Sequence, residues 1–235
     1  LCVSAGFDVT PKAVGIIGGM GPAAAVDLFA KLVAATPAQS DQDHLRIVID
    51  NNPRIPNRND AIAGIGPSPG PHLAEAARGL EQAGADFLVI ACNTAHAFQG
   101  DIEAAVSIPL LSMIDATADA VTSARVGVLA ADGCRNAGLY QRAFAQRHVD
   151  ALFLDEVAQA AFMDLVYAIK AGDVGASSQA RMAAFAHDLR ERGAQAIVAA
   201  CTEVPLVLTE ETARAPLIKS TDALVARAVA FAFAD

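Results

Sequence analysis

The chain has 235 residues, enough to bury a substantial core as either one large α/β domain or two lobes of about 100 residues each. Hydrophobic residues make up 54% of it but aromatics only 5%, and the apolar runs are short and broken by charge, Gly or Pro, which excludes a transmembrane span of about 18 or more apolar residues. A net charge of −9, with scattered arginines and no dense basic patch, excludes a nucleic-acid backbone as partner; an anionic small molecule stays open, because local arginines or backbone amides outweigh net charge at short range.

Residues 1–12, LCVSAGFDVTPK, lack the charged region, apolar core and cleavage site of a secretion signal; they are set aside as a leader without assigned role, and cytoplasm is the expected compartment. Short apolar runs then follow at 13–17, 45–50, 87–91 and 108–112, and again at 125–130, 150–154, 195–200 and 216–218. Such runs read as parallel strands covered on both faces by crossover helices. Amphipathic stretches at 23–35, 71–83, 139–147, 157–170 and 177–192 supply helices. In the last, Met182, Phe185 and Leu189 form an apolar stripe, Arg181, Asp188, Arg190, Glu191 and Arg192 face solvent, and Gly193 stops the helix.

The order of these elements repeats. VGIIGGMG at Val14–Gly21 matches VGVLAADG at Val126–Gly133, and GADFLVIACNTAH at Gly84–His96 matches GAQAIVAACTEVP at Gly193–Pro205. IPLLSMIDATADAV, from Ile108, matches APLIKSTDALVARAV, from Ala215, through Pro109 with Pro216 and Asp115 with Asp222. Three matched segments in one order point to a duplication and to an α/β fold of two pseudo-symmetric three-layer lobes, with mainly parallel sheets and an active site between them. The C-terminal strand and helix follow the second copy, so they are expected to return to the first lobe, giving 13–117 with 212–235 as one lobe and 118–211 as the other.

The duplication places Cys92 opposite Cys201, each just after a strand and before a Thr-containing turn, where α/β proteins collect ligands. Backbone amides at the next helix start would favour a thiolate there. Two such thiols suit inversion of a carbon centre: one as thiolate removes a proton from one face, its partner as thiol returns one to the other, and no organic cofactor is needed. A free cysteine with a pKa of about 8.5 needs only modest help for this. A lone buried cysteine is ordinarily packing, and it is the matched placement that moves the pair to catalysis. The wide spacing of Cys2, Cys92, Cys134 and Cys201 suits neither a zinc knuckle nor a disulfide framework; Cys134 is either a site contact or local packing, and Cys2 is uninterpretable.

Donors for a substrate α-carboxylate are available at Asn93, Thr94 and Thr202. Arg58 and Lys170 are candidate cationic anchors, which favours an acidic amino acid; a solvated turn equally explains Arg58, and a helix C-terminus Lys170. The Pro-rich segment IDNNPRIPNRND, 49–60, would project Asn52 and Arg58 into a cleft or simply turn in solvent. GGMGP at Gly18–Pro22 lacks both the phosphate-loop and the dinucleotide spacing, and a tight turn alone would use its glycines. His96 and Glu203 follow the two cysteines, placed either to tune them or to bond locally.

GIIGGMGP at 15–22, NNPRIPNR at 51–58, ACNTAHAF at 91–98, IPLLSMI at 108–114 and ACTEVPLVL at 200–208 together resemble the aspartate/glutamate racemase family, in its aspartate-racemase-like branch, over almost the whole chain after the leader. The resemblance implies two pseudo-symmetric lobes, no pyridoxal phosphate and no metal, Cys92 and Cys201 as the two bases, and Arg58 and Lys170 as ligands of substrate carboxylates. It adds Met20 and Asn52 to Asn93, Thr94 and Thr202 as pocket or anchor residues, marks Glu203 as a feature of this branch, and implies a homodimer acting on a small-molecule amino acid, with neither nucleic acid nor membrane as partner. The second-lobe loop departs from the family's Thr/Ser-rich pattern: it reads AADGCRNAG at Ala130–Gly138, so that Asp132, Cys134 and Arg135 become candidate specificity residues. Strict aspartate specificity therefore does not follow. Alternatives are a broad-specificity amino-acid or hydantoin racemase, a related one-thiol decarboxylase, and an amino-acid-binding module.

Overall fold

The computed structural model describes residues 11–234; Cys2 and residues 1–10 of the leader lie outside the described residues. The chain forms two parallel sheets. The first has strand order β2-β1-β3, from β1 (Val14–Gly18), β2 (Ile47–Asn51) and β3 (Phe87–Ile90). The second has order β5-β4-β6-β7, from β4 (Arg125–Ala130), β5 (Asp150–Phe153), β6 (Ala196–Ala200) and β7 (Leu217–Lys219). Strands β1, β3 and β6 are buried throughout, β4 is buried beyond its first residue, and β2 and β5, at sheet edges, are only half-buried.

The duplication is visible in the register. Val14 pairs with Ile47 and Phe87, and Val126 with Ala151 and Ala196. The run expected as a strand at 108–112 contributes only a single bridge, Leu110 to Leu88, with Leu88 N–H donating to Pro109 O at 2.8 Å. Its counterpart in the second half, where Ile197 N–H donates to Pro216 O at 2.9 Å, does run on into β7. Gly15 and Gly127, the matched glycines of the repeat, let helices close on the sheets: a Cβ on Gly15 would lie 3.2 Å from Leu80 Cβ of the helix over it and 2.7 Å from Leu88 Cδ2 of the next strand, and one on Gly127 would lie 2.7 Å from Leu189 Cβ.

Each sheet is covered on both faces. Against the first pack α1 (Pro22–Ala35) through Leu28 and Leu32, and α3 (Gly70–Gln82) through Leu73, Ala77 and Leu80. Against the second pack α7 (Leu139–Ala145) through Tyr140 and Phe144, and the pair α8 (Glu156–Lys170) and α9 (Ala176–Glu191) through Phe162, Leu165, Met182 and Leu189. Asp155 caps α8 by accepting from Ala158 N–H at 2.8 Å, and Lys170 ends it. The short helices α2 (Arg58–Ile62), α4 (Gln99–Glu103), α6 (Asp132–Asn136) and α10 (Glu210–Ala213) complete the connections.

The helices that close each repeat are exchanged. α5 (Met113–Asp119), which ends the first copy, puts Ile114 and Ala118 among Val126, Val128 and Tyr140 of the second core. α11 (Ser220–Ala232), which ends the second, puts Leu224, Val225 and Ala228 among Val14, Leu28 and Phe87 of the first. Residues 212–234 thus divide between the halves, β7 extending the second sheet and α11 covering the first. No helix among the described residues is long and apolar enough to cross a membrane.

Candidate active site

β3 delivers Cys92 and β6 delivers Cys201 just past the carboxyl ends of corresponding strands. Both cysteines are 7% exposed, and both line one cavity with Met20, Arg58, Asn59, Asn93, Thr94, Ala131, Val166, Lys170, Thr202 and Glu203. Its free volume is about 30 Å³, room for a water molecule or two and less than an amino acid needs. Met20, Arg58, Lys170 and Glu203 also form walls of an adjoining hollow of about 250 Å³, bounded by Gly19, Gly21 and Pro22. A larger and more open hollow, about 430 Å³, lies between α5 and α7 and touches neither cysteine.

The turns after the two cysteines differ from the expected helix starts. Thr94–Phe98 and Val204–Leu206 are short 3-10 turns, too brief for a substantial dipole, and at Cys201 only the backbone N–H of Glu203 favours a thiolate in the expected way. At Cys201 the surroundings work the other way. Its Sγ–H donates to Glu203 Oε2 at 3.0 Å; burial first, and then the carboxylate, push this thiol well above the usual cysteine range, against the pull of Lys170.

Lys170 Nζ meets Glu203 Oε1 at 2.5 Å and reaches Met20 O at 3.4 Å. Burial would depress this ammonium, but the Glu203 carboxylate against it outweighs that and raises its pKa. Arg58 is also engaged: one terminal nitrogen donates to Ile55 O and Pro56 O at 3.2 and 2.9 Å, the other to Met20 O at 3.2 Å, while its buried Nε has no partner. Both cations thus converge on the Met20 carbonyl, and the Arg58 fork holds main chain where a bidentate carboxylate grip was expected.

The Cys92 turn is fixed from both halves. Asn93 Oδ1 accepts from Tyr140 O–H at 2.6 Å, and its Nδ2 donates to Ser220 Oγ at 3.0 Å. His96 is fully buried and clamps the same turn. Its Nε2 accepts from Met113 N–H at 3.0 Å, which leaves Nδ1 as the protonated nitrogen facing Cys92 O at 2.9 Å. Burial holds its pKa down at about 4, so it is a neutral structural imidazole at ordinary pH.

Other sequence candidates lie elsewhere. Asn52 does not line the cavity; its Oδ1 accepts from Arg54 N–H at 3.0 Å in a local turn, and its backbone is pressed against Gly19, where φ is +93° and any Cβ would clash at 2.3 Å. Asp132 accepts from Gln159 Nε2 at 2.7 Å and Arg135 donates to Leu154 O at 2.9 Å, so neither enters the cavity. Cys134 is 1% exposed in the second core, and burial raises its pKa.

Several wall and support residues carry no signal that sequence reasoning picks up. Asn59, in α2, bridges the halves: its Oδ1 accepts from Gly133 N–H at 2.9 Å and its Nδ2 donates to Tyr167 Oη at 3.2 Å. It stands directly after NNPRIPNR, one residue beyond the candidate Arg58. Tyr140, Ser220 and Val166 leave no local mark.

The family model described as Asp/Glu/Hydantoin racemase matches residues 17–228. The broad specificity amino-acid racemase RacX of Bacillus subtilis (strain 168) is 26% identical over 223 residues, 90% of this chain and 94% of that protein. Among solved structures, an aspartate racemase from Picrophilus torridus superposes with a TM-score of 0.85 at 31% identity, covering 94% of each chain. An aspartate racemase homologue from Pyrococcus horikoshii OT3 shares the fold, with a TM-score of 0.73 at 18% identity over 94% of this chain and 99% of its own. With its two like sheets, its paired cysteines and a match over nearly its whole length, the chain belongs to the Asp/Glu/Hydantoin racemase family.

Proposed function

We propose that this racemase interconverts the enantiomers of an amino acid, aspartate or glutamate first, by removing the α-proton with one of Cys92 and Cys201 and returning a proton to the opposite face from the other. The observation that carries this reading is that two cysteines at corresponding strand ends of a duplicated fold line one small, buried cavity. The thiolate takes the α-hydrogen as a proton, the C–H electron pair stays on carbon and spreads into the α-carboxylate, and the thiol protonates the other face. The Thr94 hydroxyl and the backbone N–H groups of Asn93, Thr94 and Thr202, with the buried Nε of Arg58 and the Lys170 ammonium, oppose the charge that grows on that carboxylate, in a site where little water weakens them. The cavity must widen to admit substrate, by displacement of the α2 segment that Asn59 straps to the second half. We take the enzyme to be cytoplasmic and, from the family likeness, a homodimer.

One observation favours a second reading, a broader substrate range. Lys170 is already paired with Glu203, and the terminal nitrogens of Arg58 are spent on main-chain carbonyls, so the positive charge offered to a side-chain carboxylate is small. The broad specificity of the RacX relative accords with this.

The test is incubation of each enantiomer of aspartate, glutamate and a panel of neutral and basic amino acids in heavy water without added cofactor. Deuterium entering the α-position together with the opposite enantiomer is the expected result. Neither event on the whole panel would overturn the proposal, and the order of rates separates the acidic from the broad reading.

A further inference from the structure

We infer that Glu203 is a positioning residue that holds the proton on Cys201, so that the resting enzyme keeps its thiol there and draws its base from Cys92. The inference rests on the two-cysteine reading and assigns to it an order that neither the duplication nor the family likeness contains.

Glu203 is 4% exposed and is the one acidic side chain in the cavity wall among the described residues. Its Oε2 accepts from both Cys201 Sγ–H at 3.0 Å and Thr202 Oγ1–H at 3.1 Å, and its Oε1 takes the Lys170 ammonium. Ionising Cys201 would remove one of these donors and set a second negative charge against a carboxylate that water does not screen. The other titratable groups around Cys201 are Lys170 from α8, Tyr140 from α7 and Cys92 from the first half. Of these only Lys170 favours a thiolate, and its ammonium is directed at Glu203 Oε1. Cys92, with the same 7% exposure, has no carboxylate against it. The symmetry of the fold therefore ends at the cysteines.

The chemical step balances in the usual way for two bases. Cys92 thiolate takes the α-proton, Cys201 thiol delivers its own to the opposite face, and the enzyme is left with thiol at Cys92 and thiolate at Cys201 beside Glu203. Transfer of one proton from Cys92 to Cys201 through water restores the resting form. Since the equilibrium constant of racemisation is unity, kcat/KM is equal in both directions. The asymmetry appears as a kcat and a KM that both differ, by one factor, between enantiomers.

The experiment is alkylation of the whole, substrate-free protein with iodoacetamide over a pH series, with Cys92, Cys134 and Cys201 followed separately by peptide mass spectrometry. Near pH 7, Cys92 is expected to react at least about tenfold faster than Cys201. Glu203→Gln should lower the pH midpoint of Cys201 by about one unit, and Lys170→Met should raise it. Cys134, 1% exposed, should stay unreactive as long as the fold is intact. If Glu203→Gln makes Cys134 reactive, the wild-type order and the Lys170→Met shift carry the decision. Cys201 reacting first in the wild type, or a midpoint unmoved by Glu203→Gln in a folded protein, overturns the inference. Alkylation reads the proton without turnover, so an inactive wild type would count against the racemase reading alone, and an active one with inverted order against the inference alone.

Discussion

Tyr140 O–H donates to Asn93 Oδ1 at 2.6 Å, and by this one bond a helix of the second half holds the turn that carries the first half's cysteine. Both residues are buried, and the same hydroxyl contacts Thr117 Oγ1 at 3.2 Å. Tyr140→Phe leaves the Asn93 oxygen without its donor in a dry environment, which costs about 1–3 kcal/mol. The expected outcome is a lower melting temperature together with a fall in kcat/KM of about tenfold, because the turn that carries both Cys92 and the Asn93 donor is loosened. Thermal denaturation and steady-state kinetics with one enantiomer check both parts.

Replacing either cysteine by serine should nearly abolish racemisation, with each variant at least about a thousandfold below wild type, because a hydroxyl is a far weaker acid than a thiol. The folds should survive, since the sulfur-to-oxygen change is small in a site already lined with polar groups. Either variant turning over at the wild-type rate would remove the obligatory pair.

His96 should make the protein acid-sensitive. Its folded pKa of about 4 lies below the ordinary imidazole value, so between the two the unfolded chain binds the extra proton. The neutral clamp on Cys92 O and Met113 N–H is thus fully stabilising above about pH 6.5 and loses its contribution as pH falls toward about 4, a change of about 3 kcal/mol. Urea denaturation across this range should show that slope, and His96→Gln should flatten it.

Gly127→Ala puts a methyl group where Leu189 Cβ stands 2.7 Å away, between β4 and α9. Helix and sheet must separate, at a cost of about 1–3 kcal/mol. The predicted result is a clear drop in denaturation midpoint. Gly15→Ala in the other half meets Leu88 Cδ2, the far end of a flexible side chain, and should be milder.

The strands were legible because doubly covered strands must be apolar along their length, and β1, β3, β4 and β6 are. The run at 108–112 shrank to a bridge at Leu110. Helices of two turns or fewer, such as α2 and α6, are too short for a readable amphipathic period. At the site, the repeat drew attention to Cys92 and Cys201, and the family resemblance of ACNTAHAF and ACTEVPLVL pointed to the same pair. What Asp132, Arg135 and Lys170 touch was not legible: Gln159, Leu154 and Glu203 lie many residues away in other elements, and no local pattern encodes such pairings.

The swapped closing helices have a consequence for how this enzyme comes into being. Neither copy of the repeat can finish its own interior: the second takes α5 from the first, and the first must wait until α11 has been made. A fragment ending after β6 would leave Val14, Leu28 and Phe87 uncovered, and separately made halves would have to find each other before either was sealed. The first core is thus sealed only once α11 has been made, after the strands that carry both cysteines.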